Sequence, residues 1–193
     1  MLINNTNTPN FQAKYVSTGH VKKLNPSKGC YERYGATLLE FDPSNKADLA
    51  VLKNTFEKWK SLFGRDIYQT AENIVVDIFD EVKNKVYFFT KQSKDFDNLK
   101  VDDVLGLVDI EPKKNKTGDD IVEIHRLQVD TALIDKEMPA FKHIGTGILN
   151  SLKEKFNMII ELNLVPSATE FYEKNDFVDL QDSFLRYRWT PKA

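Results

Sequence analysis

The sequence predicts an α/β (α+β) fold, a mixed sheet with helices on both of its faces. Three observations carry that expectation. The chain has 193 residues, the span of one domain or of one with a decorated terminus. Its composition, 41% apolar and 29% charged, supplies a sizeable core and argues against wholesale disorder. Strand-like and helix-like segments then interleave in the order β-α-α-β-β-β-α-β-α-β-β, the pattern of a sheet layered with helices.

Residues 1–35 stand apart in composition. They are rich in Asn, Thr, Ser and Lys, and carry Lys14, Lys22, Lys23, Lys28 and Arg33 against the single acid Glu32. A local charge of +4 therefore leaves -6 for residues 36–193. This segment reads as a basic, polar N-terminal arm, laid across the domain as extended chain, docked on another molecule or plainly disordered, with the domain itself over 36–193.

From Ala36 the elements follow in order. Ala36–Phe41 reads as a short strand ended by Asp42-Pro43-Ser44, which is turn and helix-start chemistry. Leu49, Leu52, Phe56, Trp59 and Phe63 recur at helical spacing, so an amphipathic helix is expected to stop at Gly64. Ala71, Ile74, Val75, Ile78 and Val82 mark a second helix, and Val86–Thr90 a strand. A polar connector over 91–102 leads to a strand at 104–110, and the charged loop Pro112–Gly118 to another at 121–129. Beyond a loop through Pro139 comes a helix over 144–156 with Ile148, Leu149, Leu152 and Phe156 inside. A strand at 158–165, a short helix at 168–175 and two strands near 177–180 and 184–189 complete the chain.

Several classes are excluded by composition. Lys plus Arg number 27 against 29 Asp plus Glu, so there is no basic surplus of the kind a dedicated nucleic-acid binder carries. The single Cys30 cannot build a disulfide framework or a cysteine metal cluster, and His20, His125 and His143 lack the i,i+4 spacing of a helical zinc site. No metal and no nucleic acid are therefore expected. No apolar run is long enough to span a bilayer and the polar N-terminus has no secretory pattern, so a cytoplasmic protein is expected.

Three features could carry chemistry. The first is Lys142-His143-Ile144-Gly145-Thr146-Gly147 at a helix start. Its unpaired N–H groups and helix dipole favour a phosphate, and its glycines would let the ligand approach the backbone; a plain helix start reads the same way. The second is Glu123 with His125, two apart and so expected on one face of a regular strand together with Leu127 and Val129, with Arg126 and Gln128 turned away. A carboxylate beside an imidazole is a general-base pair, or simply a solvated patch of sheet. The third is Phe171-Tyr172-Glu173-Lys174-Asn175-Asp176-Phe177, where Phe171 and Phe177 anchor the core. Tyr172 either packs with them or offers its hydroxyl as a proton donor.

In this order the features resemble the GNAT superfamily of acyl-CoA-dependent N-acetyltransferases. The family's strand ending in Leu-x-Val corresponds to Leu127-Gln128-Val129, and its Arg/Gln-x-x-Gly-x-Gly/Ala helix start to Lys142–Gly147. Its Ala-x-x-Phe-Tyr-Glu-Lys-x-Gly-Phe signature corresponds to Ala168–Phe177. The resemblance covers roughly 36–190. Lys142 stands for the usual Arg or Gln, Asp176 for a Gly, and Val165 where an Asn often precedes the Ala.

The resemblance implies a mostly antiparallel GNAT-like sheet and acetyl transfer from acetyl-CoA to an amine-bearing small molecule or peptide. The backbone of Leu127, Gln128 and Val129 would pair with the pantetheine arm. The N–H groups from His143 through Ile144, Gly145, Thr146 and Gly147 would hold the pyrophosphate, with Lys142 adding charge at the rim. Glu123 or His125 would be the base, Tyr172 would protonate the CoA thiolate, and the Val129 N–H would stabilise the oxyanion. The acceptor would be contacted by 61–70 and the C-terminal strands. A non-catalytic acyl-CoA-binding or protein-interaction module on the same fold is the alternative, and paired sheets would allow a homodimer.

Overall fold

A computed structural model of the chain describes residues 13–77, 81–91, 99–133, 137–182 and 184–192. The expected arm is, from Lys14 on, part of the sheet. β1 (Lys14–Asn25) pairs antiparallel with β2 (Cys30–Glu40), so the boundary expected at 35/36 falls inside a strand. The turn between them has its own chemistry. The Asn25 side-chain oxygen accepts from Ser27 N (3.2 Å), and Gly29, at φ 62°, donates its N–H to Asn25 O (2.9 Å). Residues 1–12, the rest of that segment, lie outside the described residues.

The remaining strands are β3 (Lys85–Lys91), β4 (Val104–Lys114), β5 (Asp120–Val129), β6 (Phe141–Lys142), β7 (Ile159–Asn163), β8 (Val178–Asp179) and β9 (Arg186–Trp189). They form one sheet in the order β6-β1-β2-β3-β4-β5-β7-β9-β8. Every pairing is antiparallel except β5 with β7, the mixed, mostly antiparallel architecture expected.

Both faces are covered, which is why the central strands are apolar at consecutive positions. Leu38, Tyr87, Phe89 and Leu105 pack with Ile148, Leu149 and Leu152 of α3 (Ile144–Phe156). Leu39, Phe88 and Leu107 pack on the other side with Leu52 and Trp59 of α1 (Lys46–Trp59) and Ile67 and Ala71 of α2 (Leu62–Val76). α4 (Thr169–Glu173) completes the helices.

The first helix does not run to Gly64. Lys60 turns left-handed at φ 51° and ends α1, and the Ser61 hydroxyl caps α2 by accepting from Gly64 N (3.1 Å). α2 accordingly ends at Val76; Val82 is outside it, and Ile78 lies outside the described residues.

β5 contains the irregularity that matters most. Asp109 of β4 faces Arg126, and Ile110 faces Ile124, so His125 is an extra residue, a β-bulge. The bulge reverses the alternation of side chains. Before it, Val122 and Ile124 point into the α3 core; after it, Leu127 and Val129 do. Glu123 therefore lies on the face of Arg126 and Gln128, not on that of Leu127 and Val129. The regular strand expected from the sequence would have put Glu123 and Leu127 together.

Candidate functional site

The parallel pairing of β5 with β7 runs only from Ile121–Ile159 to Ile124–Leu162. Past that point the strands part, because Leu164 donates its N–H to Leu185 O (3.0 Å) and the chain turns into Pro166. Arg126–Val129 thus keep β4 on one edge and have an open edge on the other. Asp130 N donates to Leu105 O of β4 (3.2 Å). Counting back by the two-residue period, the backbone N–H and C=O groups of Leu127 and Val129 point to the open edge.

A cleft of about 650 Å³ occupies the gap. The open edge at Leu127, Gln128 and Val129 forms one wall, and His143, Ile144, Gly145 and Thr146 at the start of α3 form another. Phe171 and Tyr172 close it from α4. His143 is left-handed (φ 61°, ψ 29°) and caps α3 without a side-chain bond, its carbonyl accepting from Gly147 N (2.9 Å). The earlier N–H groups of the first turn have no intrahelical acceptor, so with the helix dipole they could hold an anion at the cleft. At Gly145 a Cβ would meet the Phe171 ring at 2.8 Å, so glycine lets α4 close on α3.

Tyr172 packs edge-on against Phe171 and Phe177, at centroid distances of 4.9 and 5.6 Å. Burial pushes its phenol up to about 12, so it carries its proton at neutral pH.

Of the residues singled out from sequence, Leu127–Val129, His143–Thr146 and Tyr172 share this cleft, while Glu123, His125, Lys142 and Gly147 are outside its lining. Gly147 is a packing residue: a Cβ there would strike the His20 carbonyl oxygen at 2.8 Å and the Phe89 ring. The Lys142 ammonium sits 4.2 Å above the Tyr31 ring, and β6 ties Lys142 to Lys22 of β1.

Glu123 and His125 belong to a charged ladder across β4 and β5. Glu123 is ion-paired with Lys113, and His125 Nε2 stands 3.2 Å from Glu111 and 3.9 Å from Glu123. One ligand atom from each of Glu111, Glu123 and His125 lies within 4.8 Å of the others, a spacing that could hold a metal ion. The Lys113 ammonium, which also approaches Glu111 to 3.8 Å, supplies the positive charge there.

Phe63 and Val165 also line the cleft: Phe63 lies in the stretch 61–70 that the resemblance gives to the acceptor and Val165 at the motif position where an Asn often stands, although neither side chain was singled out as a lining residue. Gln128 turns out to be a joint: its Oε1 accepts from the Ser61 hydroxyl (2.9 Å) and its Nε2 donates to Val129 O (2.6 Å). It locks the α1–α2 junction to the open edge. Arg126 bonds the fully buried Asp109 (2.9 Å) and approaches Asp66 (3.5 Å). Asp109 also accepts from Thr70 Oγ1 (3.2 Å) and Asn84 Nδ2 (2.9 Å). That fully bonded carboxylate pins α2 to β4 behind the cleft.

No family model matches the chain, and no curated protein matches it in sequence. In structure it is similar to AtaTR bound with AcCoA, with a TM-score of 0.51 and 13% identity over 80% of this chain and 92% of that one. It is similar to an acetyltransferase from Thermus thermophilus, with a TM-score of 0.51 and 13% identity over 80% and 96% of the two chains. A possible acetyltransferase from Clostridium difficile 630 gives a TM-score of 0.50 and 16% identity over 77% and 93%. At these identities the likeness establishes the fold.

Proposed function

Because the chain has the GNAT acetyltransferase fold, we propose that it is an N-acetyltransferase that moves an acetyl group from acetyl-CoA to an amine. The observation that carries the reading is the meeting, in one cleft, of an open strand edge, an open helix start and a neutral, half-buried phenol. The first suits the amide-bearing pantetheine arm, which can add to β5 as a further strand. The second suits the pyrophosphate. The third suits a departing thiolate.

In the reaction the amine nitrogen attacks the thioester carbonyl and a tetrahedral oxyanion forms, stabilised by the Val129 N–H at the open edge. The C–S bond then breaks and Tyr172 protonates the sulfur, giving CoA and the acetylated amine. The proton released by the amine passes through water to the Glu123–His125 pair, on the α2 side of β5. The residues that would hold acetyl-CoA are Leu127–Val129 and His143–Thr146, with Gly147 serving helix packing.

One observation favours the rival reading, a non-catalytic acyl-CoA-binding module: Glu123 is held by Lys113 and neither candidate base lines the cleft. Release of the free CoA thiol, followed over polyamines, amino acids, aminoglycosides and peptide N-termini, separates the two. Amine-dependent release is expected; acetyl-CoA binding with no release for any amine class would leave the module.

A further inference from the structure

The cleft has a chemical bias. No Asp, Glu, Lys or Arg lines it among the described residues. Phe63 and Val165 do line it, and they leave 47% and 49% of their surface exposed. Phe63 stands two residues beyond Ser61, whose hydroxyl holds Gln128 at the open edge, and it lines the same cleft as Gln128. Leu62, next to Phe63, is more exposed still. Apolar side chains that line a cleft leave water when an apolar ligand enters.

Four carboxylates outside the lining are engaged. Asp66, one turn beyond Phe63, faces Arg126 at 3.5 Å, and Asp182 is ion-paired with Arg186. Glu161 is paired with Arg188, and buried Asp130 accepts from Ala132 N (3.0 Å). A ligand bearing several ammonium groups would bring charges that these walls leave without a partner.

We propose that Phe63 and Val165 form an acceptor subsite for an amine carried on an apolar, aromatic-sized body, and that the site discriminates against polycationic amines. This rests on the acetyl-transfer reading and narrows the substrate to monoamines of that kind.

The test is calorimetric titration of 2-phenylethylamine and of spermidine onto the free protein and onto protein saturated with CoA, repeated with Phe63→Ser. Because Phe63 is half exposed, its replacement leaves the core intact. The inference expects 2-phenylethylamine to bind at least about tenfold more tightly than spermidine. It also expects Phe63→Ser to weaken that binding by about tenfold without changing CoA affinity. Tighter binding of spermidine, an unchanged affinity in Phe63→Ser, or no binding of 2-phenylethylamine would overturn it. If CoA itself fails to bind, the acetyl-transfer reading falls, and the titrations on the free protein still decide whether the apolar amine site exists.

Discussion

Between Ile121 and Ile124, β5 is paired on both edges, with β4 on one side and β7 on the other; from Arg126 to Val129 it is paired with β4 alone. The closed half carries a ladder of charge, Glu123 with Lys113 and His125 with Glu111. The open half borders a cleft lined by no Asp, Glu, Lys or Arg among the described residues. One bulge, at His125, divides them. The difference teaches that a strand offers its backbone to a ligand only where the sheet stops covering it, and that the covering residues behind must then hold the edge in place.

If Asp109 and Arg126 are that support, Asp109→Ala should have the largest effect. It leaves the Arg126 guanidinium without its buried partner and should cost about 3–5 kcal/mol, read as a fall in denaturation midpoint. A loss below about 1 kcal/mol would mean the edge is held by something else.

Tyr172→Phe strikes the open half alone. It should lower turnover by about 10²-fold or more while acetyl-CoA binding changes little. With the phenol near 12, turnover should also show no loss from Tyr172 ionisation up to about pH 10. Equal rates for Tyr172→Phe and the parent protein would remove its acid role.

The sharpest question about the closed half is whether it also takes part in chemistry. Glu123→Gln and His125→Ala should each lower turnover, by about tenfold or more for whichever takes the proton. If both leave the rate unchanged with an identified acceptor, the proton goes elsewhere and the ladder is purely structural. Smallest is Gln128→Ala, which should loosen the junction of α1 and α2 for a loss of about 1 kcal/mol of stability.

Much of the fold was legible. Ile148, Leu149 and Leu152 announce α3, and its bounds fall where Gly145 and the turn after Phe156 suggest. The apolar runs in β3 and β4 announce themselves too. What the sequence concealed had little apolar signal. The part of the β1–β2 hairpin before Ala36 buries few side chains, so its Lys and Asn residues read as an arm although Asn25, Pro26 and Gly29 spell a turn. The break at Lys60 and Ser61 interrupts no periodicity, because Trp59 and Phe63 fall on the same spacing in either arrangement.

In the site, the motif residues 127–129, 143–146 and 172 were readable because helix starts and aromatic anchors have local patterns. The bulge has none. It depends on the register with β4, and it alone separates Glu123 from Leu127 and Val129. Phe63 and Val165 were legible only in part: the stretch 61–70 was expected at the acceptor and Val165 holds a motif position, but no local pattern shows that these two side chains line one cleft.

The open half of β5 together with the start of α3 is the centre of this account, and titration calorimetry with acetyl-CoA tests it most directly. Binding in the micromolar range, roughly -8 kcal/mol, is the predicted result. No heat of binding up to about 1 mM acetyl-CoA, roughly -4 kcal/mol, would contradict it.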